Sequence, residues 1–232
     1  MKKFFKKFIP NSVLVIWRRR NRRTKIRNKS AKDVFTEIYK SNLWGSSESI
    51  SGTGSVKEQT ESLINELDKL LKDMNISSIL DIPCGDFNWM QKVDLSNIDY
   101  IGADIVEELI ENNIKQYKER ENIKFMVLNL IKDPLPKSDL IFVRDCFVHL
   151  SYKDIDSAIK NIKSSASKYL LTTTFTNHHL NVDILTGEWR PLNLQVQPFN
   201  FSTPILVINE NCTEGNGEFI DKSMALWEIC KI

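Results

Sequence analysis

The stretch ILDIPCGDFNWM, residues 79–90, opens with a short apolar run, Ile79 to Ile82, that stops at Pro83, Cys84 and Gly85. An apolar run this short, bounded by proline and glycine, has the length of a buried strand rather than of a helix. Helical spacing lies just before it, with Leu63, Ile64, Leu67, Leu70, Leu71 and Met74 on one stripe. The alternation continues downstream. Residues 98–105 (IDYIGADI) read as a strand, Leu109, Ile110, Ile114 and Tyr117 mark a helix, and residues 123–130 (IKFMVLNL) read as a third strand. Residues 138–145 (SDLIFVRD) form a fourth, and residues 168–175 (KYLLTTTF) a fifth. Between them Ser151 and Asp154 cap a helix carrying Ile155, Ile159 and Ile162. Strands that are apolar almost throughout, separated by amphipathic helices, predict a parallel sheet covered on both faces.

Toward the start of the chain, Ser30 and Asp33 cap a helix with Val34, Phe35, Ile38 and Tyr39 on one side. The Gly/Ser-rich stretch WGSSESISGTGS, residues 44–55, is too polar for an element interior. Past Phe175 no clear period holds until residues 204–210 (PILVINE) and 223–230 (SMALWEIC), which flank a Gly-rich turn at 213–219. Two strands joined by such a turn are antiparallel, so the open parallel sheet is expected to end in a hairpin. The fold expected is α/β, Rossmann-like and doubly wound.

The chain of 232 residues suffices for one full domain, and 41% hydrophobic with 27% charged residues excludes wholesale disorder. Its four cysteines, Cys84, Cys146, Cys212 and Cys230, form no C-x-x-C pair, so neither a zinc knuckle nor a disulfide scaffold is expected, and no metal site. That usage fits a reducing cytoplasm. The net charge of +2 conceals an uneven distribution: residues 1–32 hold 13 Lys or Arg and no acid, leaving 19 bases to face all 30 acids. A basic arm, residues 1–30, therefore precedes an acidic domain, residues 31–232.

The longest apolar run of the arm, Val13 to Trp17, is far short of the ~20 residues that span a bilayer, and no cleavage site follows it. Phe4, Phe5, Phe8 and Trp17 interleaved with Lys and Arg suit a segment lying on an anionic membrane surface, peripheral to its inner face. A solvated or partner-binding arm and a phosphate grip for nucleic acid are the other readings.

In open parallel sheets the ligand sits beyond the carboxyl ends of the strands. The first strand contributes Asp81, Gly85 and Asp86, the second Asp104, 23 residues after Asp81, the third Asn129, and the fourth Arg144 and Asp145 with His149 a turn further on. Gly85 lets backbone N–H groups approach a ligand. Asp104 suits a ribose diol and the Asn129 amide an adenine edge. The G-x-G-x-x-G turn that admits a pyrophosphate is absent, and two acids would repel one. A cofactor with positive charge near this loop fits better, as S-adenosylmethionine has in its sulfonium and ammonium groups.

With these residues in view, the sequence resembles the class I S-adenosylmethionine-dependent methyltransferases. ILDIPCGDF resembles their first motif, YIGADI their second-strand motif and SDLIFVRDCFVHLS their fourth-strand region; the likeness covers about residues 31–232. Pro83 and Phe87 depart from it, standing where the first and third glycines of the motif usually lie. The resemblance implies a seven-stranded sheet of order 3-2-1-4-5-7-6. It implies that Asp81, Pro83, Gly85 and Asp86 meet the methionine end of the cofactor, Asp104 and Ile105 the ribose, and Asn129 and Leu130 the adenine. It also implies a lid over cofactor and acceptor from Trp44 and Ser51, and acceptor contacts from Trp189 and Arg190 after the fifth strand. A bacterial subgroup tied to surface-polysaccharide synthesis is the nearest likeness.

Methyl transfer to a hydroxyl needs its proton removed, and His149 and Asp145 are the candidate bases. A locally satisfied helix-start histidine and a structural pair of Asp145 with Arg144 are the alternatives. Arg144 or Arg190 suits a phosphate or carboxylate on the acceptor. His178 and His179 lack partners at metal-ligand spacing. The fourth strand ends in R-D-C-F and not in the N/D-P-P-Y/F of many nitrogen methylators, and the acidic domain argues against a long nucleic-acid track. The expectation is O-methylation of a small or glycan-type acceptor, at a sugar hydroxyl or phosphate-type oxygen. The rivals are an RNA methyltransferase using the arm and an inactive, membrane-tethered scaffold.

Overall fold

A computed structural model describes residues 23–232. Most of the basic arm, and with it the proposed membrane segment, lies outside the described residues. The described end of the arm packs on the domain: Ile26 is buried against Val34 and Ile38, and Arg23 Nε lies 3.0 Å from a carboxylate oxygen of Glu188.

The helix α1 (Ala31–Lys40) starts where the side chain of Ser30 accepts the Asp33 N–H, as the capping pair predicts. α2 (Lys57–Asp73) buries Leu63, Leu67, Leu70 and Leu71 on the stripe read from the sequence. The strands are β1 (Ser78–Asp81), β2 (Asp99–Asp104), β3 (Ile123–Val127), β4 (Leu140–Val143), β5 (Tyr169–Phe175), β6 (Leu206–Asn209) and β7 (Lys222–Glu228). The helices α3 (Glu107–Gln116) and α4 (Tyr152–Ser164) join β2 to β3 and β4 to β5. Ser151 caps α4 by accepting from the N–H of Asp154.

The sheet has seven strands in the order β3-β2-β1-β4-β5-β7-β6. β1 to β5 run parallel, and β7 is antiparallel to both β5 and β6. Apolar clusters cover the two faces. One includes Leu63 and Leu67 of α2 with Tyr100, Phe142 and Met224 of the sheet; the other sets Ile155, Ala158 and Ile162 of α4 against Ile141, Leu170 and Trp227. Each fully buried Leu or Ile contributes ~1.5–3 kcal/mol.

β3 departs from the expectation. It ends at Val127, and Met126 and Val127 are exposed, because an edge strand has one neighbour and less cover than β1 or β4. Asn129 and Leu130 therefore sit in the turn beyond it. β1 pairs with both β2 and β4, so the chain reverses its direction of travel across the sheet at β1 and opens a crevice at the tips of β1 and β4.

Candidate active site

Two adjoining cavities open at these tips, with about 1150 and 1100 Å³ of unfilled space including their mouths. Asp81, Pro83, Gly85 and Asp86 line one side of the first, and Asp104, Ile105, Asn129 and Leu130 the other. The sheet thus brings all eight residues expected around the cofactor to one cleft.

The two acids at its floor, Asp81 and Asp104, form no ion pair among the described residues. The Asp81 carboxyl is buried at the tip of β1 and accepts a hydrogen bond from the Tyr100 hydroxyl at 2.5 Å. Burial pushes it up to about 8, against the Tyr100 hydrogen bond and with a further push from Asp104. Burial likewise raises Asp104 to about 6, although its carboxylate accepts the N–H of Val106 at 3.0 Å and of Gly85 at 3.4 Å. Arg144, the one cation acting on Asp81, makes its ion pairs elsewhere, with Glu210 and Asp145.

Gly85 is required twice over. Its φ is +56°, and a Cβ there would meet Ser51 Oγ at 2.1 Å. Phe87, where the motif usually has its third glycine, keeps a glycine-like φ of +57° while its ring is buried against Tyr100, Tyr117 and Phe125. Aromatic packing here offsets the ~1–3 kcal/mol that such a conformation costs. Asp86 turns away from the role expected of it. Its carboxylate accepts from Ser49 Oγ at 3.0 Å, the Ile50 N–H at 3.0 Å and Ser51 Oγ at 3.2 Å, and so ties down the strap of residues 44–55. Ser51, expected at the acceptor, spends its hydroxyl on this anchor. Asn129 uses its side-chain carbonyl on the Ile131 N–H, which orients its amide at the cleft wall.

The second cavity shares Trp44, Ser51, Ser55, Asp145 and His149 with the first. His149 Nδ1 is 2.9 Å from the Glu188 carbonyl, and its ring lies 5.2 Å from that of Trp44. A carbonyl only accepts, so in the neutral ring Nδ1 carries the proton and Nε2 the lone pair, the tautomer a base requires.

Three expectations are corrected. Arg144 is buried, donating to Glu210 from Nε at 3.0 Å and to the Gly54 carbonyl from a terminal nitrogen at 2.9 Å, so it is engaged inside the protein rather than presented to an acceptor anion. Arg190 donates to the backbone carbonyls of Val182, Phe147 and Leu150, clamping the loop after β5 to the turn before α4. Asp145 lies 2.7 Å from Lys222 Nζ and 3.5 Å from Arg144. Burial alone would raise it, yet Lys222 and then Arg144 hold it well below the usual carboxylate range, which removes it as a base near neutrality. Trp189 lines the second cavity and is half-exposed.

The reading of the sequence missed Lys222 and Glu210. The hairpin pairs Asn209 with Ser223, so Glu210 and Lys222 are opposed one residue further on, and the Glu210 N–H donates to the Lys222 carbonyl. An acid ending one strand and a base starting the next, across a turn, was the available signal. Among the described residues no cluster of metal-ligating side chains forms, and no helix is long and apolar enough to cross a membrane.

The sheet order with its one antiparallel strand decides the fold. The fold is that of the class I methyltransferases. Magnesium protoporphyrin IX methyltransferase from Synechocystis PCC 6803, solved with bound S-adenosylmethionine, matches with a TM-score of 0.60 at 12% identity, over 86% of this chain and 97% of its own. An N-methyltransferase from Bradyrhizobium japonicum WM9, solved with S-adenosyl-L-homocysteine, gives 0.59 at 14% identity, over 82% and 97%. Human N-acetylserotonin methyltransferase with S-adenosylmethionine gives 0.53 at 13%, over 85% and 59%. At such identities the likeness concerns the methyltransferase fold alone. No protein-family model matches the chain, and no curated protein does.

Proposed function

We propose that the chain is an S-adenosylmethionine-dependent methyltransferase acting on an oxygen of a small or glycan-type acceptor, as in bacterial surface-polysaccharide synthesis. The observation that carries this reading is the pair of buried acids, Asp81 and Asp104, standing without a paired cation among the described residues, beside a glycine turn with no room for a Cβ. An adenosyl ligand bearing an ammonium and a sulfonium fits such a floor, whereas a diphosphate would be repelled.

In this reading Asp104 binds the ribose hydroxyls, Asn129 the adenine, and Asp81 with the Gly85 turn the methionine end. S-adenosylmethionine, when bound, would supply an electrophilic methyl group to the acceptor oxygen, with S-adenosylhomocysteine as the leaving group. His149 takes the hydroxyl proton on Nε2, with Nδ1–H held by the Glu188 carbonyl. The strap of residues 44–55, anchored by Asp86, excludes water from both cavities.

Calorimetric titration with S-adenosylmethionine tests this. Wild type binds, and Asp104→Ala weakens binding by ~10–100-fold, the worth of charge-assisted hydrogen bonds to one carboxylate. No binding to the wild type would end the reading, and unchanged affinity in the variant would remove Asp104 from the site.

We further propose that residues 1–30 bring the domain, residues 31–232, to the inner face of an anionic membrane. Sedimentation with phosphatidylserine vesicles tests it: retention by the full chain, lost on deleting residues 1–22, is the expected result.

A further inference from the structure

We infer that the second cavity is the acceptor subsite and that it takes a neutral, hydroxyl-rich ring, a sugar, whose apolar face lies on Trp189 and Phe219 and whose hydroxyls meet Glu214 and Thr53. The inference rests on the reading of the first cleft as the cofactor site. It goes beyond that reading by assigning the neighbouring space and by excluding anionic acceptors.

The walls come first. Phe175, Trp189 and Phe219 meet edge to face: Trp189 and Phe219 are 4.9 Å apart at 68°, and Phe175 stands 6.1 Å from Trp189 at 83°. Rings packed by their edges keep faces uncovered, and Trp189 remains 43% exposed although its neighbours hold it in place. An indole with two torsion angles loses little entropy on binding, and its electron-rich face attracts the polarised C–H groups of a sugar ring. The three rings form a wall and not a cage closing on a point charge, the arrangement that captures quaternary ammonium groups.

The polar groups come next. Glu214 accepts the Thr53 hydroxyl at 2.6 Å and is half-buried at the cavity edge, so the pair keeps acceptors to spare, the remaining lone pairs of the Thr53 oxygen and of the carboxylate. Such acceptors read the O–H donors of a hydroxyl-rich ring.

Charge decides what the ring carries. The ionised groups lining the cavity include Asp145, Glu188, Glu214 and Lys222. Lys222 is committed to Asp145 at 2.7 Å and Arg23 to Glu188 at 3.0 Å. With Asp145 and Glu188 paired, a phosphate or carboxylate entering here meets the Glu214 carboxylate and no uncommitted cation among the lining residues, which counts against the phosphate-type oxygen expected from the sequence. His149 and Asp145 line both cavities, so a hydroxyl at their junction lies beside the base and next to the cofactor cleft.

The test uses the full chain saturated with S-adenosylhomocysteine and saturation-transfer NMR with three probes: neutral methyl hexopyranosides, their 6-phosphates, and choline. Neutral glycosides should give transfer to their ring C–H protons, reduced at least fivefold in Trp189→Ala and at least threefold in Glu214→Gln, with S-adenosylhomocysteine affinity unchanged in both variants. Trp189 is half-exposed, so its loss leaves the core intact. Preference for the phosphates or for choline overturns the inference, as does equal transfer in wild type and Trp189→Ala, or no transfer from any glycoside. If S-adenosylhomocysteine itself fails to bind, the cofactor reading is what has failed.

Discussion

The two cavities share a wall and treat their acids in opposite ways. In the first, Asp81 and Asp104 are buried with hydrogen-bond donors but no paired cation among the described residues, and burial holds both above the usual carboxylate range. In the second, Asp145 is half-buried beside Lys222 and Arg144 and is held below it, while Glu210 closes the group from behind. A lone buried acid is a site waiting for positive charge; a paired one is part of the scaffold. The contrast separates a half that binds a charged ligand from a half whose charges are already balanced.

The group shared between the halves gives the largest expected effect. His149→Ala should lower kcat by ~10²–10⁴-fold, the usual worth of a positioned base, with S-adenosylmethionine affinity nearly unchanged. Equal turnover would exclude His149 as the base and break the assignment of the junction.

Removing a charge should act with opposite sign in the two halves. Arg144→Met leaves buried Glu210 and half-buried Asp145 with Lys222 as their one remaining ion-pair partner among the described residues, and should destabilise the protein by ~3–5 kcal/mol in denaturant unfolding. Asp81→Asn keeps an acceptor for Tyr100 and removes a carboxyl that is costly to ionise, so above pH 8 it should unfold at a higher temperature than wild type in the absence of ligand. If both variants shift stability the same way, the division between the halves is wrong.

The pH dependence follows from the same signs. Asp81 and Asp104 titrate higher folded than unfolded, so between about pH 4 and pH 8 the folded chain holds more protons, and their contribution to stability falls as pH rises through that window. Asp145 titrates lower folded than unfolded, and its contribution is lost only as pH falls below the ordinary carboxylate range. In the proposed binding mode both acids act as carboxylates, Asp81 toward the cationic methionine end and Asp104 as acceptor for the ribose hydroxyls. S-adenosylmethionine affinity should therefore rise between pH 6 and pH 8, by up to ~10-fold per pH unit where one proton leaves on binding. Isothermal titration in two buffers of different ionisation enthalpy measures that proton, and a flat profile would mean neither acid meets the cation.

The half that the sequence discloses is also the half built from short-range patterns. The apolar run of β1, the glycine turn after Asp81 and the strand-ending Asp104 are local features, and their periods and spacing are legible without coordinates. The second half is assembled from distant pieces: Arg144 pairs with Glu210 66 residues on, and Asp145 with Lys222 77 residues on. Arg190 looked like an anion grip because a loop arginine carries no local mark of the three carbonyls, from residues 147, 150 and 182, that fold around it. β3 misled for the reverse reason, since its apolar run has the right period but the sequence does not say that the strand lies at an edge.

Ser51 shows how one residue binds the halves together, and it carries the smallest effect. It lines both cavities, donates to Asp86 at 3.2 Å and accepts the Asp86 N–H at 3.2 Å. Ser51→Ala removes both bonds, while Ser49 Oγ and the Ile50 N–H still hold the Asp86 carboxylate. With two anchors left, the strap should loosen rather than detach, at ~0.5–1.5 kcal/mol. That corresponds to an S-adenosylmethionine Kd raised by about 2–12-fold. Because the strap also roofs the second cavity, KM for the acceptor should rise with it while kcat holds, since His149 keeps its own carbonyl partner. A fall in kcat without change in either affinity would instead make Ser51 part of the chemistry, and the strap would then be more than a cover.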